Sequence, residues 1–374
     1  VLSWQAGDSA TNVVRRNVAP AFRAAVPLLR PLRQIHKQAM TRKCLAESNR
    51  LIARLVDVQW ARRASVVQIH AISLAPMSHE QKQRLASFGQ LHYYDAVLGD
   101  SSVGEQCRGA EAIVITPRLS ADIVPCLDRC RLISVQGAGT DALDVAAARR
   151  KGIVVCNVPD FCTDAVAEHA FALLLAAAKK IEHGRPCLTE GRWTTALAYP
   201  TLGLNGKTLG LFGCGKIGAR IAAIARAFGM RVVAAVRDPG KPHPVETVSL
   251  EALLAESDFI VLAAPATSET TGVFDYRSFA QMKRGAVLIN ISRAALVEKT
   301  ALLEALASGR LAAAGMDVFH REPPERDDAL LHHPQVVVSP HVAWGTDDAV
   351  QRLLDLSIAN VEAFAAGSPT HVVS

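Results

Sequence analysis

Three side chains in the last quarter of this 374-residue chain are of types that can work on a small acid: Arg293, Glu322 and His341. Arg293 follows the apolar run 286–291, Glu322 sits in the loop after 312–318, and His341 follows 336–339. Each run reads as a strand, and ligands of open α/β sheets bind outside the carboxyl ends of strands. All three residues therefore point to one crevice. An arginine fork suits a carboxylate bidentately, and a histidine held by a carboxylate keeps one tautomer and titrates in a useful range. Together they describe a site for a 2-oxo or 2-hydroxy acid. Each alone would be ordinary solvated surface; the shared address at strand ends singles them out.

A second grouping lies upstream, in the stretch 209–218, Leu-Gly-Leu-Phe-Gly-Cys-Gly-Lys-Ile-Gly. A short apolar run enters a turn holding Gly213, Gly215 and Gly218, and an apolar helical pattern follows over 219–228. Gly213 allows a tight turn, Gly215 lets backbone approach a pyrophosphate, and Gly218 lets helix and strand pack closely. Free N–H groups and the helix dipole favour phosphate there. A second strand at 231–236 completes the context of a dinucleotide site. An acid at the end of that second strand would bond the ribose 2′-hydroxyl and repel a 2′-phosphate. Counting without gaps from Gly229 places Val236 there, followed by Arg237, which suits NADP. A rival alignment slides Asp238 into place and restores NAD, at the cost of two extra strand residues, about 6.6 Å. NADP is favoured over NAD.

The elements that must position these groups alternate between short apolar strands and helices, the mark of parallel sheets. Strands 66–69, 112–115, 132–135 and 153–155, with helices 78–88, 121–128 and 141–151, form one α/β unit of about 100 residues. A helix at 163–181 is apolar nearly all round, which implies burial between domains or against a second subunit. After the glycine turn, helices 250–255, 278–282 and 300–308 and strands 259–263, 286–291, 312–318 and 336–339 complete a second doubly wound sheet. The last helix, 347–366, is long enough to cross back to the first unit. The expected division is a basic extension at 1–65, a discontinuous substrate-binding domain of 66–162 plus 346–374, and a dinucleotide-binding domain at 163–345. The active site is then the cleft between the two domains.

Bulk composition excludes several classes. Half the residues are apolar and only 5% aromatic, which fits an α/β globular protein rather than a disordered or fibrous one. No apolar run approaches the roughly 18–20 residues of a membrane span. The net charge is +6. Residues 1–65 hold twelve Lys and Arg against three acids, a balance of +9, so the remainder carries −3. The basic excess belongs to the extension, and a nucleic-acid partner is not expected. Transit leaders share the extension's composition; the blander reading is an appended segment, disordered or partly helical, with one helix at 51–60. The eight cysteines are scattered. Cys126 and Cys130, four apart on an expected helix, lack a second pair for zinc, so no metal is expected, and reduced thiols suit a cytoplasmic protein.

Six stretches then agree in order with one family. Residues 290–297 (Asn-Ile-Ser-Arg-Ala-Ala-Leu-Val), 315–323 (Gly-Met-Asp-Val-Phe-His-Arg-Glu-Pro) and 339–346 (Ser-Pro-His-Val-Ala-Trp-Gly-Thr) resemble the arginine, glutamate and histidine motifs of the D-isomer-specific 2-hydroxyacid dehydrogenases. Gly137–Asp141, Asn157-Val158-Pro159 and Ala165–His169 resemble that family's substrate loop, hinge and interface helix. The resemblance covers about residues 66–370. It implies a Rossmann-type nucleotide-binding domain plus a flavodoxin-like substrate domain, and a homodimer through helix 163–181. His341 would be the acid–base, Glu322 its support, and Arg293 the ligand of the substrate carboxylate, with backbone amides at Ala138 and Gly139 on the carboxylate's other face. Cofactor contacts would fall to Gly213, Gly215, Lys216, Ile217, Gly218, Arg237, Ala264, Pro265, Ile291, Ser292, Asp317, Trp344 and Gly345, with Asp317 on the nicotinamide amide. Ala294 stands where the family often has Gly, and His320 where it often has Glu. Trp344 resembles the hydroxypyruvate reductase and glycerate dehydrogenase members, so the implied reaction is reduction of glyoxylate or hydroxypyruvate. A 3-phosphoglycerate dehydrogenase is the runner-up; the 33 residues after His341 are expected to leave no regulatory domain there. Dinucleotide-sensing co-repressors share the fold, but the complete Arg–Glu–His set argues for an enzyme.

Overall fold

The computed structural model describes residues 68–97, 102–193 and 200–373. The extension at 1–65, its expected helix 51–60 and the first two residues of strand 66–69 lie outside them.

Two parallel sheets carry the fold. The first joins β1 (Gln68–Ser73), β2 (Gln90–Asp95), β3 (Ala112–Ile115), β4 (Leu132–Val135) and β5 (Val154–Cys156) in the order β2-β1-β3-β4-β5, the flavodoxin-like order. The second holds β6 (Thr208–Phe212), β7 (Arg231–Ala235), β8 (Glu246–Thr247), β9 (Phe259–Leu262), β10 (Ala286–Asn290), β11 (Leu311–Met316) and β12 (Val336–Val338). Its order is β12-β11-β10-β9-β6-β7-β8. Strand order reverses between β6 and β9, and the glycine turn leaves β6 at that switch point, where such sheets bind ligands. β9 and β10 are buried throughout, as strands covered on both faces must be.

The long helix Thr163–Lys179 buries nine side chains and lies against β10, β11 and β12. Gly315 makes that approach possible: a Cβ there would come within 3.0 Å of Leu173 Cβ and 2.8 Å of Ile289 Cδ1. The helix stops at Lys180, which takes the left-handed conformation usual for a helix end. A further helix, Ile181–Thr189, then begins; the sequence hid it behind Gly184 and Pro186. The last helix, Asp347–Ala365, packs on β4 and on helix His79–Ala86. Arg84 bonds Asp355 and Glu362 across that contact, and Ser134 Oγ donates to the Ser357 carbonyl at 2.9 Å.

Some expected elements differ. The helix expected at 121–128 is only a 3₁₀ turn at Val124–Cys126, because Asp122 has positive φ and Pro125 has no amide hydrogen to donate. Cys126 and Cys130 therefore share no helix. Strand β2 was not expected; it is a half-buried edge strand rich in polar residues. Helix 141–151 shortens to Val145–Arg150, capped by the Asp144 carboxylate accepting from the Ala147 amide. Cys107, Cys130, Cys156 and Cys162 are free and buried, and burial pushes the first two thiols up to about 12. Among the described residues, no helix is long and apolar enough to cross a membrane.

Candidate active site

The glycine turn has the shape its spacing demands. Gly213 has φ +94°, and a Cβ there would stand 2.9 Å from the Ala264 backbone. A Cβ at Gly218 would meet the Gly213 carbonyl oxygen at 2.7 Å, whereas one at Gly215 would meet nothing within 4 Å. So two of the glycines are required by packing, and the third faces open space where a ligand can approach. Helix Lys216–Ala227 starts at Gly215 with no side-chain cap, leaving its first amides for an anion. These features fit a dinucleotide's pyrophosphate.

His341 and Glu322 meet as expected: His341 Nδ1 lies 2.7 Å from Glu322 Oε2. That contact leaves Nε2 as the ring nitrogen for exchanging a proton. Glu322 Oε1 accepts the Phe319 amide at 3.0 Å, which fixes the carboxylate's plane. Burial alone would raise the Glu322 carboxyl, but hydrogen bonds from His341 and the Phe319 amide, and the charges of His341 and Arg118, hold it below its ordinary value.

His341 itself has φ +56°, a conformation that costs a non-glycine residue about 1–2 kcal/mol. The surroundings fix it there. Asp317, 1% exposed, accepts the Val342 amide at 2.9 Å on Oδ1 and the Ala343 amide at 3.0 Å on Oδ2. Ser339 Oγ donates to Asp317 at 2.7 Å and lies 2.8 Å from His169 Nε2. Trp344 Nε1 caps the His341 carbonyl at 3.1 Å. Burial pushes the Asp317 carboxyl up, yet these donors, His169 first, bring it net below its ordinary value. Asp317 is therefore a charged anchor beneath the histidine loop, a duty the sequence did not reveal.

Arg293 leaves the end of β10 through Asn290, whose side chain bonds the Arg293 carbonyl and the Ser292 amide. Its guanidinium crosses to the loop after β4: Nη2 and Nε reach Asp141 Oδ2 at 2.7 and 3.0 Å. A Cβ on Gly139 would collide with Arg293 Nη2, so the loop needs glycine for the arginine to lie there. Among the described residues the Ala138 and Gly139 amides donate to no protein acceptor, and Asn157 Nδ2 steadies the Ala138 carbonyl at 2.7 Å. Two free donors beside a guanidinium form an anion seat.

The remaining expected contacts divide. Ser292 Oγ bonds the carbonyl of Ala264, whose backbone lies against Gly213; Pro265, its carbonyl accepting from Thr270, and Ile291 adjoin these two in sequence. Ile217 follows Lys216 in the helix's first turn. The Lys216 ammonium pairs with Asp160 at 2.6 Å, while its backbone amide is among the uncapped first amides of the helix. Trp344 packs edge-on to Phe161, and Gly345 closes the loop by donating to the Val342 carbonyl. Arg237 lies exposed just past β7 with no side-chain partner among the described residues, while Asp238 pairs with Lys241 at 3.1 Å. Sequence reasoning missed Arg118, whose Nη2 donates to Glu322 Oε2 at 2.9 Å. The available signal was a Pro-Arg pair one residue past the end of apolar β3.

The fold and this grouping are those of nicotinamide-dependent oxidoreductases, and comparison with known proteins narrows the class. Residues 171–343 match the family described as D-isomer specific 2-hydroxyacid dehydrogenase, NAD binding domain. A glycerate dehydrogenase of Methylorubrum extorquens is 36% identical over 288 residues, 75% of this chain and 90% of the relative. A glyoxylate reductase of Korarchaeum cryptofilum is 37% identical over 281 residues, 72% and 84% of the two chains. The crystal structure of D-lactate dehydrogenase from Aquifex aeolicus, complexed with NAD and lactic acid, superposes with TM-score 0.70 at 28% identity, covering 79% of this chain and 95% of that one. The chain belongs to the D-isomer-specific 2-hydroxyacid dehydrogenase family.

Proposed function

We propose that this protein reduces glyoxylate or hydroxypyruvate to the D-2-hydroxy acid, with the five-stranded unit as substrate-binding domain and the seven-stranded unit as dinucleotide-binding domain. The observation that carries the reading is the 2.7 Å His341–Glu322 contact in a chain whose Arg293 lies beside two free loop amides. A nicotinamide dinucleotide held at the turn of Gly213, Gly215 and Gly218 would supply the hydride. Arg293 and the Ala138 and Gly139 amides grip the substrate carboxylate and orient the carbonyl. His341 Nε2 gives its proton to the carbonyl oxygen as negative charge develops there, and Glu322 steadies the ring while it is protonated. The relatives' names support a substrate of two or three carbons. The test is steady-state turnover of glyoxylate, hydroxypyruvate and phosphohydroxypyruvate with each reduced cofactor. Preference for either of the first two supports the reading, preference for the third makes the enzyme a phosphoglycerate dehydrogenase, and binding of dinucleotide without turnover of any points to a sensor.

NADPH is the favoured cofactor. The unpaired Arg237 guanidinium at the end of β7, with Val236 in the acid's usual place and Asp238 engaged by Lys241, suits a 2′-phosphate. Replacing Arg237 by Ser should raise the KM for NADPH about 10–100-fold, the worth of one charged hydrogen bond, while moving the KM for NADH little. Equal effects on both would return the choice to NAD. We further read the chain as a homodimer built on helix 163–181. Ile181 at its end, and Leu188 and Trp193 beyond it, are 65%, 59% and 88% exposed, large apolar side chains that a second copy would cover. A solution mass of one 40.0 kDa chain would rule that out. The free thiols support a reducing, cytoplasmic setting.

A further inference from the structure

Arg118 has no place in the chemistry so far, yet it touches the group that holds the proton donor. It stands in the 3₁₀ turn Pro117–Leu119 at the carboxyl end of β3, in the five-stranded unit. That turn is tightly fixed. Ser120 Oγ donates to the Pro117 carbonyl at 2.6 Å, Leu119 is buried, and Pro117 abuts the substrate loop so closely that a Cβ on Gly137 would come within 2.6 Å of Pro117 Cγ. From this base the guanidinium reaches Glu322, which belongs to the other sheet's unit. Nη2 lies 2.9 Å from Oε2, the same oxygen that His341 Nδ1 contacts at 2.7 Å.

We propose that Arg118 is a positioning residue of the hydride-transfer site: it shares the Glu322 oxygen that holds the His341 ring, and so weakens that carboxylate's grip on the ring proton. One oxygen serving two cationic donors gives each less than it would give one alone, and the guanidinium's charge repels the imidazolium directly. The other charged groups around the pair do not cancel this. Asp317 is spent on the Val342 and Ala343 amides, Ser339 and His169. Asp141 is paired with Arg293, His320 faces the Val297 carbonyl, and Arg321 pairs with Glu325. A ring that releases its proton more readily is a better donor to the carbonyl oxygen in reduction. It is also a readier base for the reverse oxidation at neutral pH.

The sign is definite. Removing the guanidinium strengthens the carboxylate's hold, so His341 stays protonated to higher pH. In Arg118→Met, the alkaline limb of reductive kcat/KM should move up by about half a unit to one unit. That is less than the 1–3 units of a close buried charge, because Arg118 is 32% exposed and solvent screens it. Arg118→Lys, which keeps the charge without the fork, should bring the limb most of the way back. The inference rests on the reductase reading, so the deciding measurement needs no turnover. The His341 ring is titrated by NMR in the cofactor-free protein, its signal assigned by loss in His341→Asn. An upward midpoint shift in Arg118→Met, reversed in Arg118→Lys, supports the role. An unmoved or lowered midpoint overturns it. So does a rise in substrate KM with the limb unmoved, which would make Arg118 a direct substrate ligand. Absence of turnover in the unaltered protein would count against the reductase reading and leave the titration to judge Arg118.

Discussion

Replacing His341 by Asn should lower kcat for 2-oxo acid reduction by about 10²–10⁴-fold, the usual worth of a positioned general acid, while dinucleotide still binds. Asparagine is the informative choice because the backbone at 341 has φ +56°, and Asn tolerates that region better than other side chains. The Asp317, Ser339 and Trp344 contacts to the loop can then survive, so the loss reports the imidazole rather than a collapsed loop. In the proposed reading the dinucleotide is held at the Gly213–Gly218 turn after β6, away from the histidine loop, so titration of cofactor fluorescence should change little. The pH dependence has a fixed direction. Glu322 is held below its ordinary value, so its support is complete above that range and lost only as pH falls through the lowered value. Reduction needs the protonated ring and so fades as pH rises, whereas oxidation of the hydroxy acid gains. A variant that keeps more than about a tenth of the activity would remove His341 from its role, since that is less than the weakest general-acid effect.

Arg293→Lys should cost nearly as much. Two charged hydrogen bonds to the substrate carboxylate are worth about 1.5–3 kcal/mol each, so losing the fork should cut kcat/KM by about 10²–10⁴-fold. Lysine keeps a positive charge but not the planar pair of donors, and it cannot hold both the Ser292 carbonyl and Asp141 as Arg293 does. The control is a substrate lacking the carboxylate, such as a simple aldehyde. The variant and the unaltered enzyme should reduce it with similar, poor efficiency. A 2-oxo acid KM unchanged in Arg293→Lys, with kcat unchanged, would show that the carboxylate sits elsewhere.

What the sequence made legible was local. The glycine turn, and Arg293, Glu322 and His341 in their loops, could be read because each lies at the end of an apolar run whose direction in a parallel sheet is known. The parallel, doubly wound character of both sheets followed from the alternation of strand and helix; their strand order, with the switch point at β6, came only from the structure. What stayed hidden depends on contacts between residues far apart in the chain. Arg118 and Glu322 are 204 positions apart, and His169 and Ser339 170; nothing in either neighbourhood announces the other. The Lys216–Asp160 ion pair, 56 positions apart in sequence, was likewise out of reach of the sequence. The missed helix Ile181–Thr189 was obscured by Gly184 and Pro186, residues that weaken a helix without forbidding its first turns. The polar strand β2 has no apolar alternation because it forms the edge of its sheet.

One arrangement bears on how the histidine loop can vary. Val342 and Ala343 meet Asp317 through main-chain nitrogens alone, so the loop's seat is specified by atoms that every amino acid except proline carries. Val342, its side chain 44% exposed, is therefore free to change identity without moving its neighbour. The single carboxylate beneath has no such latitude. Inheritance can rewrite the rim of this site far more cheaply than its floor.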